Sequence, residues 1–159
     1  MIIILILAAV IGFIILCFII LGLICNKRLV STEYEIKCES LPKEFDGLRI
    51  LHISDLHNCA YSKGNRRLIK LAKDSAPNLI AITGDMIDSR KPNAEVALNL
   101  AKELVKIAPC YYVTGNHEAR LKETAEKFIQ NLTKTGVTYL DNKAETITKN
   151  GEQIGRAHV

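Results

Sequence analysis

The stretch NLIAITGDMID, residues 78–88, decides the fold of this chain. It begins as a short apolar run of the kind that forms a buried strand, and it breaks at Gly84 into a group of carboxylates. Two other stretches follow the same plan, LRILHISDLH at residues 48–57 and CYYVTGNHE at residues 110–118. Each of the three predicts a strand that runs into polar side chains able to bind a metal ion.

Helical patterns separate the three predicted strands, at about residues 66–75 and 94–107. A third helical pattern, at about residues 122–135, leads to the strand-like sequence VTYL. Strands that alternate with helices of this length predict a parallel α/β sheet with right-handed connections. Strand patterns also occur in EYEIKC (residues 33–38) and in AETITK (residues 144–149), the latter before an Asn-Gly turn signal.

An apolar segment precedes this α/β region, and residues 2–25 contain no charged side chain. A helix of that length is about 36 Å long, enough to cross a hydrocarbon core of about 30 Å. A cleaved signal peptide is the rival interpretation, but no basic segment precedes the run and no small-x-small site follows it. A lipoprotein signal is disfavoured by the bulky residues before Cys25. We therefore predict a transmembrane helix at residues 1–26, a linker at 27–32 and a domain from residue 33.

Charge and cysteine content exclude several classes of function. The net charge of +4 is spread along the chain without interleaved aromatic residues, so nucleic-acid binding is not indicated. The five cysteines show no CxxC spacing, which predicts neither a thiolate zinc site nor a disulfide framework. Lys27 and Arg28 directly follow the apolar segment, and the positive-inside rule then places the domain in the cytoplasm.

The carboxyl ends of parallel strands lie along one edge of a sheet, and ligands bind at that edge. Any one of the three polar groups alone would be read as a turn or a helix cap. Three such groups at successive strand ends predict one shared site. Its candidate residues are Asp55, His57, Asp85, Asp88, Asn116 and His117.

Carboxylate, imidazole and amide donors form a mixed set that suits Mn²⁺, Fe²⁺ or Zn²⁺. Asp55 and His57 can converge on one ion, because they are two residues apart where the chain leaves its strand. Asp85 can offer one oxygen to each of two ions, and Asn116 would bind the second. Two ions about 3.5–4 Å apart clamp a phosphoryl group and lower the pKa of a bridging water.

His117 follows a predicted ligand but is itself expected to stay free of the metal ions. It is then placed to protonate the leaving alkoxide, with Asp88 holding its ring. Glu118 can contact the metal surroundings or start a helix, and the helix start is the preferred interpretation. Four further residues are interpreted as ordinary strand, loop or helix-surface positions: His52, Asn58, Arg66 and Arg67.

The motifs SDLH, GDMID and GNHE, in this order and near this spacing, resemble those of the calcineurin-like metallophosphoesterases. The likeness is greatest to the single-pass, membrane-anchored bacterial branch, and it covers about residues 48–118 by motif and 33–150 by layout. It implies an α/β/β/α sandwich, a dinuclear metal site and hydrolysis of phosphate mono- or diesters. For the six site residues it implies the roles given above, with His117 as the acid or the transition-state stabiliser. The predicted anchor, in turn, suits a lipid or envelope-linked phosphoester as the substrate.

Members of this family carry further histidine ligands, one on a later strand and others in a Gly-His-x-His motif. After Glu118 this sequence contains only His158, one residue from its end. We therefore expect residues 33–153 to be the amino-terminal half of the sandwich, inactive alone and poorly stable, with one sheet face uncovered. The final residues 154–159, IGRAHV, match one reading frame of a common sequencing adapter and are interpreted as an artefact.

The leading hypothesis is thus a membrane-anchored, metal-dependent phosphoesterase. The alternative from another class is a non-catalytic, membrane-tethered binding module with the same fold. The intact first-half ligands argue against this alternative, because a site that has lost its function would tolerate replacement of Asp85 or Asn116.

Overall fold

The computed structural model describes residues 1–25 and 29–155, which divide into two units between Thr32 and Glu33. The first unit contains helix α1, Ile2–Cys25. Its part Ile2–Gly22 is long and apolar enough to span a membrane, as the sequence predicted. The prediction of orientation depends on Lys27 and Arg28, which lie outside the described residues.

The second unit is a mixed α/β domain with a parallel sheet, which confirms the predicted fold class. Its elements, in chain order, are β1 (Ile50–Ile53), α2 (Arg66–Asp74), β2 (Leu79–Ile82), α3 (Ala94–Leu104), β3 (Cys110–Tyr112), α4 (Asn116–Leu121), α5 (Glu123–Thr133), β4 (Thr138–Tyr139), β5 (Ile147–Lys149) and β6 (Glu152–Ile154). Strands β1 to β4 pair in parallel in the order β1-β2-β3-β4. Strands β5 and β6 form a separate antiparallel hairpin.

Local sequence signals explain where several of these elements begin and end. The Asn93 side chain caps α3 by accepting a hydrogen bond from the Glu95 N–H group at 3.0 Å. The hairpin turns at Asn150 (φ 52°) and Gly151 (φ 90°), whose left-handed backbone matches the twist of the two strands. Ile154 pairs with Ile147 in this hairpin.

The crossover helices lie on one face of the parallel sheet. A sheet with this strand order and right-handed connections places them there, and α3 packs against both α2 and α5. Buried side chains of the sheet face this helical layer: Ile53, Ile80, Ile82, Cys110 and Tyr112. The hydrophobic core of the domain therefore sits between the sheet and the helices.

The opposite face of the sheet is only partly covered in the described chain: Leu79 is buried there, and Ala81 and Tyr111 are half-buried. Ile50 is 56% exposed and Val113 37% exposed, although both are apolar. His52, on the same face, lies with its Nε2 atom 2.6 Å from the Thr83 hydroxyl oxygen, a side-chain contact within the sheet. His52 is thus a strand residue, as interpreted from the sequence.

The two faces predict different effects of the same substitution. Ile82→Ala should lower the free energy of unfolding by about 3 kcal/mol, because it leaves a cavity in the core. Ile50→Ala should lower it by less than about 1 kcal/mol, because that side chain is already in water. Urea unfolding of the detergent-solubilised chain, followed by circular dichroism, measures both. Equal losses for the two variants would contradict this assignment of the faces.

Two local predictions differ from the structure. The strand predicted at residues 33–38 is wrong, and Tyr34 and Ile36 are each 84% exposed. An alternating pattern forms a strand only when a neighbouring strand completes its hydrogen bonds, and the described residues pair none with this segment. The second difference is helix α4 (Asn116–Leu121), which begins two residues before Glu118, the predicted helix start, and is a separate element from the helix predicted at about residues 122–135.

Candidate metal site

The loops that follow β1 and β2 are joined through their main chains. The Asp55 N–H group donates to the Gly84 carbonyl at 3.2 Å, and the His57 N–H group donates to the Asp85 carbonyl at 2.9 Å. Asn58 N–H donates to the Met86 carbonyl at 3.2 Å, which continues the series. The SDLH motif is therefore held against the GDMID motif residue by residue.

One side chain from each of the three strand ends enters a common group. The donor atoms of His57, Asp85 and His117 all lie within 4.8 Å of one another, and each residue is half-buried. The rings of His57 and His117 meet edge to face, with their centroids 4.4 Å apart. This convergence is what the parallel-sheet argument predicted for the three motifs.

The group fits a divalent metal ion. The Nδ1 atom of His57 is buried and has no hydrogen-bond partner among the described residues. Buried polar atoms are nearly always paired, so this unpaired imidazole nitrogen points to a ligand. The imidazole of His57 and the carboxylate of Asp85 are donors that Mn²⁺, Fe²⁺ and Zn²⁺ accept.

Asp55 and Asn116 lie at the margin of this group. The Asp55 carboxylate lies 3.4 Å from the Nε2 atom of His57. A hydrogen bond from the Ser54 hydroxyl lowers the pKa of Asp55, and His57 contributes to the same shift, so the side chain stays ionised. Asn116 is the first residue of α4 and is exposed. Ligation by either residue stays a prediction.

The loops of the site have an unusual backbone. Asp55 (φ 56°), His57 (φ 45°), Asn58 (φ 59°) and Asp85 (φ 52°) all adopt the left-handed region. Each such residue lowers the stability of the fold by about 1–2 kcal/mol, a cost that contacts with the surroundings must offset. The hydrogen bonds between the loops are such contacts. Strained backbone that collects at one place is typical of functional sites.

Two glycines allow the second and third strand ends to touch. Gly84 has φ 90°, and a Cβ atom built on it would overlap the backbone of Gly115. A Cβ atom built on Gly115 would in turn overlap the Asp85 backbone nitrogen and carboxylate. The glycines before the second and third polar groups are therefore needed for close approach, and Gly84 also for its positive φ.

His117 is held by a residue that the sequence did not single out. Its Nδ1 atom accepts a hydrogen bond from the Ser89 N–H group at 3.0 Å, and the Ser89 hydroxyl lies at 3.2 Å. Asp88 lies nearby, but its Oδ1 atom is 3.6 Å from Nδ1, beyond hydrogen-bonding distance. The sequence predicted that Asp88 would hold the His117 ring directly. The direct hydrogen bond to the ring comes instead from Ser89, the next residue in the chain.

The Asp88 carboxylate is bound by Arg90 instead. It accepts hydrogen bonds from the Arg90 main chain at 2.9 Å and from the guanidinium group at 3.1 and 2.8 Å. These hydrogen bonds hold the pKa of Asp88 well below its ordinary range. Asp88 is therefore an ionised neighbour of His117, and its supporting role stays a prediction.

Glu118 is the other residue whose contacts the sequence did not predict. As expected, it lies in the first turn of a helix. Its side chain is also fully buried and accepts hydrogen bonds from the Asp85, Ile87 and Gly115 N–H groups. The only sequence signal was a glutamate three residues after Gly115, the N-cap position, which is where a capping box has its acidic residue.

The remaining candidates have the ordinary roles assigned to them. Asn58 ties the first loop to the second, because its amide donates to the Lys91 carbonyl at 2.8 Å and its oxygen accepts from the Asp88 N–H group at 3.3 Å. Arg66 and Arg67 are exposed at the start of α2.

A parallel α/β sheet with candidate metal ligands at three strand ends is the arrangement that the resemblance to the metallophosphoesterases implied. A family model described as calcineurin-like phosphoesterase matches residues 48–155, so the chain belongs to that family. The resemblance drawn from the three motifs is thereby confirmed. Its relatives also include proteins named as transmembrane proteins with a metallophosphoesterase domain, from Danio rerio and Bos taurus.

Three relatives show how much of the chain is shared. Uncharacterized metallophosphoesterase YkoQ of Bacillus subtilis (strain 168) is 40% identical over 78 residues, which are 48% of this chain and 29% of that protein. YkuE of the same organism, also an uncharacterized metallophosphoesterase, is 30% identical over 92 residues, 55% of this chain and 32% of that protein. The transmembrane protein with metallophosphoesterase domain from Danio rerio is 29% identical over 89 residues, which are 54% of this chain and 20% of that protein. The matches therefore span less than a third of each relative's length.

Proposed function

We propose that this chain is part of a membrane-anchored enzyme that hydrolyses phosphate mono- or diesters with two divalent metal ions. The observation that carries the proposal is the group formed by His57, Asp85 and His117 at three neighbouring strand ends. Membership of a metal-dependent phosphoesterase family supports the same chemistry.

Four side chains would hold the two ions. Asp55 and His57 would bind the first, Asp85 would be shared, and Asn116 would bind the second. When bound, such ions neutralise the phosphoryl oxygens and lower the pKa of a coordinated water. The strained loops keep these donors in place before the substrate arrives, so the substrate does not have to order them.

His117 would stabilise the leaving group as a hydrogen-bond donor. The Ser89 N–H group can only donate, so Nδ1 of His117 must accept, and a neutral ring then carries its proton on Nε2. A protonated Nε2 cannot bind a metal, but it can donate to the oxygen of a departing alcohol. This tautomer favours the role of transition-state stabiliser for His117, whose ring lies beside His57 and Asp85.

The substrate is proposed to be a phosphoester at or near the membrane. Helix α1 is long and apolar enough to anchor the domain, and relatives are named as transmembrane proteins. An anchored active site meets lipid or envelope-linked phosphoesters at high local concentration.

We also propose that the 159-residue chain alone is a poor catalyst. Mn²⁺ prefers six ligands in octahedral geometry, and two such ions need more protein donors than the four predicted here. Loosely held ions would leave the phosphoryl group poorly oriented.

Hydrolysis of bis(p-nitrophenyl) phosphate and p-nitrophenyl phosphate tests the proposal. The product of the complete gene should hydrolyse at least one of them, lose the activity with EDTA and regain it with Mn²⁺. The 159-residue chain should be slower by about 100-fold or more. Activity that survives chelation and dialysis would contradict metal dependence. Mn²⁺ binding without hydrolysis of either ester would favour the non-catalytic binding module.

A further inference from the structure

We infer that Glu118 is a positioning residue that clamps the ends of β2 and β3 together and so sets the spacing between Asp85 and Asn116. The inference deepens the proposed function and rests on it, because these two residues are the predicted ligands of the second ion. Glu118 itself is not expected to touch metal or substrate.

The clamp consists of three hydrogen bonds to one carboxylate. Oε2 of Glu118 accepts from the Asp85 N–H group at 2.8 Å and from the Gly115 N–H group at 3.1 Å. Oε1 accepts from the Ile87 N–H group at 2.9 Å. The side chain is fully buried, and hydrogen bonds to a buried charged group are among the stronger ones in proteins.

A helix cap alone does not account for this arrangement. A capping box needs only the hydrogen bond that the Gly115 N–H group donates to Glu118, and glutamine serves as well as glutamate there. The other two partners, Asp85 and Ile87, precede Glu118 by 33 and 31 residues. They belong to the loop after β2, so the carboxylate joins two strand ends that are distant in sequence.

The clamp acts directly on the backbone of a predicted ligand. Asp85 is in the left-handed region at φ 52°, and its N–H group is held by Glu118. Its Oδ1 atom accepts a hydrogen bond from the His117 N–H group at 2.8 Å. Asp85 is therefore fixed at its backbone and at its carboxylate by the first turn of α4. Asn116 begins that same turn, so the distance between the two predicted ligands, Asp85 and Asn116, is fixed.

Glu118→Gln tests the clamp, because it keeps the size of the side chain while one of its two accepting atoms becomes an amide donor. The matched control is Glu126→Gln, the same change at an exposed position of α5. Two quantities are measured on the full detergent-solubilised chain. The first is hydrogen exchange at the Asp85, Ile87 and Gly115 amides, and the second is Mn²⁺ affinity under conditions where circular dichroism shows a folded domain.

We expect Glu118→Gln to raise exchange at the three amides at least about 10-fold and to weaken Mn²⁺ binding about 10- to 100-fold. Glu126→Gln should change neither. A folded Glu118→Gln variant with the wild-type Mn²⁺ affinity would overturn the positioning role, even if its melting temperature fell.

Glu118→Asp covers the case in which Glu118→Gln does not fold. It keeps the charge but is shorter by one methylene, so it should retain part of the protection and bind Mn²⁺ with intermediate affinity. If the wild type bound no Mn²⁺, the proposed metal function would be contradicted. Hydrogen exchange at the three amides would then still test whether Glu118 holds the two strand ends together. Exchange in the wild type as fast as in an exposed loop would overturn the clamp.

Discussion

Replacing Asp85 with asparagine is expected to weaken Mn²⁺ binding by at least about 100-fold, which corresponds to about 2.7 kcal/mol. Asparagine removes the negative charge and the second carboxylate oxygen, which are needed to serve two ions. It can still accept the hydrogen bond that the His117 N–H group gives to Oδ1 of Asp85. The fold should therefore survive while the site fails. Electron paramagnetic resonance of free Mn²⁺ during a titration measures the loss.

Asp74→Asn is the control for this prediction. Asp74 is an exposed carboxylate at the end of α2 that pairs with Lys70, so the same chemical change there removes a charge outside the site. It should leave Mn²⁺ affinity unchanged. Equal losses for Asp74→Asn and Asp85→Asn would show that Mn²⁺ responds only to overall charge.

Gly84→Ala is expected to lower the free energy of unfolding by about 3–5 kcal/mol. Its backbone lies at φ 90°, which disfavours any side chain, and a Cβ atom there would overlap the backbone of Gly115. The strand ends would have to separate, which would also break the contact between the two loops. Urea unfolding measures the change, and a fall of this size is a large part of the stability of a typical domain.

Gly47→Ala separates the two causes. Gly47 has φ 71°, but no atom of the described residues lies within 4 Å of a Cβ atom built there. Alanine at this position should cost only the conformational penalty of about 1–2 kcal/mol. If Gly84→Ala cost no more than Gly47→Ala, the close approach of the two strand ends would be contradicted.

The sheet and the meeting of the three motifs were predictable because they depend on simple periodic patterns. A short apolar run such as Leu79–Ile82 has few alternatives once helices lie on both sides of it. Parallel pairing then places all strand carboxyl ends on one edge, whatever the side chains. Asp85 and His117 were predicted to converge for this reason alone.

The finer contacts of the site could not be predicted in the same way. Ser89 and Glu118 act through hydrogen bonds to residues 28 to 33 positions earlier or later in the chain, and no local pattern marks such partners. Arg90 competes for the Asp88 carboxylate, which a motif cannot show. The segment at residues 33–38 failed for a related reason, since a strand pattern does not say whether a partner strand is present.

Anomalous X-ray diffraction at the manganese edge, from crystals of the chain grown with Mn²⁺, tests the central claim most directly. The three strand ends are predicted to form one metal site, so an anomalous peak should lie within bonding distance of His57 and Asp85. Asp55 or Asn116 should complete its ligands, and the peak should vanish in Asp85→Asn crystals. Ordered loops with no peak at this edge of the sheet, or manganese bound elsewhere, would contradict the claim.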